Sequence, residues 1–178
     1  MMKNKDNKLR IKRILLTILM VFVCFLLQAT LLQNIRVAGV IPNIMLLVVV
    51  FVAFLNGLYF GISTGMAVGL LLDFMYGSLI GINMLAFLLI GYLTGLNSRL
   101  YRRGNYIIPI ILIIISEGIY GGVTYVTDYL LRGKLNIGYY IGKVMLPECV
   151  YTIVIGILIY GLVCLMYEDK ELKGGNIL

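Results

Sequence analysis

Half of the acidic residues in this 178-residue chain stand inside apolar sequence: Asp73, Glu117, Asp128 and Glu148. A carboxylate in such a place is costly within a bilayer, which makes each of them a functional candidate. Glu117, Gly121, Thr124, Asp128 and Arg132 recur at steps of four, three, four and four, so they share one side of a helix. A polar stripe of that kind should face protein or a hydrated cavity. It reads as a substrate or proton pathway, as a seam of interhelical hydrogen bonds and ion pairs, or as a partner surface. Asp73 closes the run Leu70-Leu71-Leu72-Asp73 and reads as a carboxylate bonding loop N–H groups or a nearby base at the headgroup boundary. Alternatively it anchors the turn from Met75 to Gly81 for a partner. Pro147, beside Glu148, should break or kink its helix.

Patterns that would turn these acids into a catalytic centre are missing from the sequence. There is no histidine, the residue most used as general base and transition-metal ligand. No phosphate-binding glycine loop with Lys and Ser/Thr, no serine nucleophile elbow and no clustered carboxylate motif of a lipid phosphotransferase occurs. Cys24, Cys149 and Cys164 lie in apolar segments without disulfide or metal-ligand spacing. The expectation is a protein that is not an enzyme and carries no metal or cofactor.

The elements that must position the acids are membrane helices. Hydrophobic residues make up 61% of the chain against about 45–50% in soluble domains, and mean hydropathy is +1.01. Charged residues fall to 13% and concentrate at the ends and in short connections. The fold class expected is therefore an all-α integral membrane protein. The net charge of +7 does not point to nucleic acid, because Lys3, Lys5, Lys8, Arg10, Lys12 and Arg13 directly precede an apolar run. There they serve membrane orientation and contact with anionic lipid headgroups.

Six segments are apolar enough to be spans. A basic leader, residues 1–13, precedes Ile14 to Gln33, which is too long for a signal-peptide core and reads as a retained first span. Pro42 opens a short second segment from Asn43 to Leu55, which either crosses by thinning the bilayer or dips in and returns. Asn56-Gly57 marks a turn, and Leu58 to Met75, Ile82 to Leu96, Ile107 to Leu131 and Val144 to Tyr167 follow, with Arg132 to Gly142 as a polar loop. The transmembrane domain is thus 14–167, and 168–178 form a charged tail. With six spans, eleven of the fifteen Lys and Arg fall on the side of both termini and four on the other. Five spans would divide them nine to six, so the positive-inside rule favours a six-transmembrane-helix bundle with both termini cytoplasmic. Tyrosines near inferred span ends, including Tyr139 and Tyr140, read as interface anchors.

Between the third and fourth segments runs a ladder of glycines: Gly57, Gly61, Gly65 and Gly69, then Asp73, Gly77, Gly81, Gly91 and Gly95. Apolar helices have no hydrophobic reason to associate in lipid, and small residues at i and i+4 let backbones approach closely enough for dispersion to hold them. Four residues turn roughly 400°, so the row drifts about 40° per step and forms a slanted groove. The glycines are expected at helix-packing or partner interfaces, on a hairpin whose outer turn is pinned by Asp73.

The same residues resemble a known family, the rod shape-determining protein MreD. The resemblance rests on Ile41-Pro42-Asn43 opening an apolar run, Val52-Ala53-Phe54-Leu55 before a turn, and the ladder into Leu70-Leu71-Leu72-Asp73. It continues in Gly77, Gly81-Ile82-Asn83, Gly91-Tyr92-Leu93-Thr94-Gly95, Pro147 and Tyr151. It implies a non-enzymatic membrane scaffold of the bacterial cell-elongation (rod-shape) machinery in the cytoplasmic membrane. Implied partners are MreC, other elongation-complex membrane proteins including peptidoglycan synthases, and MreB indirectly, besides membrane lipids. It also implies similarity in fold to the substrate-binding subunits of energy-coupling-factor transporters. That likeness supports a rival expectation, a small-molecule-binding membrane subunit of a vitamin-type transporter, in which the stripe from Glu117 to Asp128 meets the ligand. A lipid-modifying enzyme is a third alternative.

Overall fold

A computed structural model describes residues 2–30, 41–76, 80–100, 107–130 and 137–172, and among them there is no strand. The helices are α1 (Met2–Thr30), α2 (Ile44–Asn56), α3 (Leu58–Tyr76), α4 (Ile82–Leu96), α5 (Ile107–Thr124), α6 (Ile137–Tyr140) and α7 (Leu146–Leu172). A 3₁₀ turn, Asn97–Leu100, follows α4, and a π-helical turn, Tyr125–Leu130, continues α5. Another π turn, Ile141–Met145, joins α6 and α7 into one rod. By length and composition three stretches suffice to cross a membrane: Leu58–Tyr76, Ile107–Thr127 and Ile137–Tyr160.

Two boundaries depart from the expected ones. Helix α1 begins in the basic leader, because Lys, Arg and Leu are good helix formers and extending a nucleated helix is easy. Residues 137–142, assigned above to a polar loop, are helical and lead directly into the last rod. Pro147 does not break that rod. The strain is taken up one turn earlier, where the Leu146 N–H bonds Ile141 O five residues back and the π turn relieves the crowding a proline ring imposes.

The centre of the fold is α2. It is apolar all round, and every residue from Ile44 to Phe54 is buried. A helix without a polar face belongs in a core or in lipid, and here the other helices surround it. It touches α1, α3, α4, α5 and α7, with Phe51 against the ring of Tyr160 at 5.7 Å. Gly156 of α7 lets the rods close on it, since a Cβ there would lie 2.8 Å from Ile113 Cδ1 and 3.0 Å from Leu47 Cδ2. The outer surface is also apolar: Leu15, Leu19 and Phe22 of α1, Ile111 and Ile115 of α5, and Val154 and Leu158 of α7 are exposed. An apolar inside and an apolar outside together suit lipid as solvent.

Candidate functional site

At about 1.5 Å per residue the thirteen residues of α2 span roughly 20 Å, well short of a hydrocarbon core of about 30 Å. Its start is buried, with Asn43 4% exposed, so the free backbone N–H groups there must be met by protein. Side chains from α1, α7 and the segment before α2 meet the N–H groups at its start. Asn43 Oδ1 accepts the Leu46 N–H at 3.1 Å as an N-cap. Gln28 of α1 reaches in with Oε1 to accept the Met45 N–H at 3.0 Å. Thr152 of α7 accepts the Asn43 N–H on its hydroxyl oxygen at 3.2 Å. The Thr152 hydroxyl in turn donates to the carboxylate of Glu117 on α5. Glu117 thus orients Thr152 so that a lone pair faces Asn43. The start of α2 is a polar knot that ties α1, α5 and α7 together.

Glu117 is 3% exposed, and its Oε1 has no hydrogen-bond partner. Glu148 lies one helical turn before Thr152 on α7 and is half-buried. Above this pair, Gly121 packs against the Met145 side chain, 3.3 Å from where a Cβ would sit. The Tyr140 hydroxyl donates to Gly121 O at 2.9 Å, and its ring lies 5.3 Å from that of Tyr125. Tyr140 is accordingly buried, while Tyr139, one residue earlier, is exposed. Of the predicted stripe, Glu117 and Gly121 face inward and Thr124 is half-buried. Asp128 sits in the π turn after α5 with its side chain outside the described residues, as Arg132 is altogether.

Asp73 does a second capping job. It is 2% exposed at the end of α3. Its Oδ2 accepts the N–H groups of Gly81 at 2.9 Å and Met84 at 3.0 Å, and Oδ1 accepts that of Asn83 at 3.1 Å. These are the first free donors of α4. The residue at the N-cap position is Gly81, which adopts φ 105° and has no side chain to cap with. A carboxylate from the preceding helix takes that role, and its charge complements the positive end of the α4 dipole.

The glycines divide by what they touch. Cβ atoms on Gly61 and Gly91 would each run into the other's carbonyl. One on Gly65 would overlap Phe87 O, and one on Gly69 would overlap Met84 Cα and lie 2.6 Å from Asn83 O. One on Gly95 would lie 2.7 Å from Leu58 Cα. These five glycines bring α3 and α4 into backbone contact within this chain. Gly57 makes the turn from α2 to α3 at φ 91°, and Gly81 has open space around it. Gly77 lies outside the described residues.

Sequence reasoning gave Gln28, Asn43 and Thr152 no hydrogen-bonding role, and it read Tyr140, which is buried against Gly121, as an interface anchor. A signal existed for three of them. Gln28 is a lone amide in an apolar run, Asn43 follows a proline at a helix start, and Thr152 stands four residues after Glu148. Tyr140 is indistinguishable in sequence from Tyr139.

A sequence-family model described as rod shape-determining protein MreD matches residues 8–170. No curated protein and no solved structure matches the chain.

Proposed function

We propose a function from one premise: the chain belongs to the rod shape-determining protein MreD family, which its match over residues 8–170 establishes. The family implies a part in rod-shape determination. In this reading the protein is a non-enzymatic scaffold of the cell-elongation machinery in the bacterial cytoplasmic membrane. It crosses six times with both termini inside, associates with MreC, and couples MreB to peptidoglycan synthesis.

The observation that best supports a scaffold is the use made of the intramembrane polar groups. Asp73 caps α4, and Gln28, Asn43 and Thr152 cap α2. Glu117 holds Thr152. These groups join helices to one another, which is the work of a rigid platform. Depletion in a rod-shaped host should give rounded, swollen cells, and normal rods under full depletion would overturn the reading. Reporter fusions within residues 97–105 should give cytoplasmic signals; an external signal there would refute six spans.

One observation favours a second reading, a solute-binding subunit with the fold of vitamin-transporter substrate-binding proteins. The buried Oε1 of Glu117 lacks a hydrogen-bond partner and would suit a ligand donor. Mass spectrometry of a denatured extract of purified protein should then reveal a stoichiometric small molecule, and a clean extract would rule against it.

A further inference from the structure

Between α1 and α3 runs a groove of about 330 Å³ that no part of the described chain fills. Ile14, Ile18 and Phe22 line it from α1, and Phe60, Ala67 and Leu71 from α3. Its few polar walls are quiet: the Ser63 hydroxyl, for example, donates to Tyr59 O of its own helix at 2.9 Å. What remains is an apolar channel that would stand open to the bilayer.

The length of the groove and the charge at its end select an occupant. Phe60 to Leu71 is eleven helical steps, about 16 Å at 1.5 Å per residue. That is close to half a hydrocarbon core of about 30 Å, the depth of one leaflet. On α1 the groove begins at Ile14, and the turns before it carry Lys8, Arg10, Lys12 and Arg13. An acyl chain lying along the groove would put its headgroup at this basic end, where each Lys or Arg near the surface attracts an anionic lipid.

We propose that the α1–α3 groove is a binding site for one anionic phospholipid, with an acyl chain between Ile14 and Phe22 on one side and Phe60 and Leu71 on the other, and the phosphate at the basic end of α1. Assigning it to the inner leaflet rests on the orientation proposed above; the site itself does not. The lipid completes the packing of α1, which otherwise holds to the bundle chiefly through α2.

The test uses full-length protein in mild detergent, with dioleoyl phosphatidylglycerol and dioleoyl phosphatidylcholine as probes and native mass spectrometry plus thermal unfolding as readouts. One phosphatidylglycerol should bind per chain in preference to phosphatidylcholine and raise the midpoint of unfolding. Ala67→Phe, at an exposed groove position, should abolish that binding. The double variant Lys12→Gln, Arg13→Gln should weaken it roughly fivefold for each charge removed while leaving phosphatidylcholine binding unchanged. A phospholipid with a diazirine on its acyl chain should label α1 and α3. Equal binding of the two lipids, or full binding to both variants, would overturn the proposal. So would a photoreactive residue at position 67 that crosslinks in membranes to a protein helix or a second copy of the chain instead of lipid.

Discussion

Gly61 and Gly91 face each other so closely that a Cβ on either would collide with the carbonyl of the other. That reciprocal contact defines the α3–α4 hairpin, and it makes the two helices a single backbone-to-backbone unit. In lipid, where apolar side chains gain nothing by leaving their solvent, this closeness is itself the source of cohesion.

Adding one methyl group should therefore separate the glycines into two classes. Gly65→Ala would push into Phe87 O and should destabilise the protein by about 1–3 kcal/mol. Gly118→Ala on α5 meets nothing within 4 Å and should stay within about 0.5 kcal/mol of the parent. Unfolding of both in detergent micelles by added dodecyl sulfate measures the difference; equal effects would deny the hairpin geometry.

Asp73 accepts three backbone donors of α4, so Asp73→Ala leaves all three without their acceptor and should cost about 3 kcal/mol. Asp73→Asn keeps one oxygen and should lose about half as much. Hydrogen exchange should accelerate at the Gly81, Asn83 and Met84 amides in both variants, and unchanged protection there would refute the cap.

Thr152→Val preserves shape but removes the hydroxyl that stands between Asn43 and Glu117. The expected loss is about 2 kcal/mol, since two buried groups lose their partner. Thr152→Ser should restore most of it. Thermal unfolding of the three proteins reads the order, and a Val variant as stable as the Ser variant would contradict the knot.

Tyr140 and Tyr139 should respond differently to the same change. Tyr140→Phe loses the bond to Gly121 O and should cost about 1 kcal/mol. The exposed Tyr139 should tolerate Phe with no measurable change. Chemical-denaturation midpoints in micelles suffice to compare them.

Much of this protein was determined by its sequence alone. Its apolar composition, the basic leader before Ile14 and the missing histidine set the class and the expected absence of catalysis. The spacing from Gly61 to Gly95 announced close helix contact, because only small side chains permit it. The motif residues from Ile41 to Gly95 carried a family resemblance that the match over residues 8–170 supports.

Tertiary structure decided which surfaces those residues meet. Four-residue spacing puts glycines on one face of a helix but does not say which helix lies opposite; only the fold turned Gly61 toward Gly91 and left Gly118 in the open. A short apolar segment reads alike as a thin span or a re-entrant loop, yet α2 is the buried centre around which the other rods pack. Its buried start had to recruit Gln28 from seventeen residues away and Thr152 from more than a hundred. Hydrogen-bond partners at such separations leave no periodic trace in a chain, and they exist only because the backbone cannot remain unpaired in lipid.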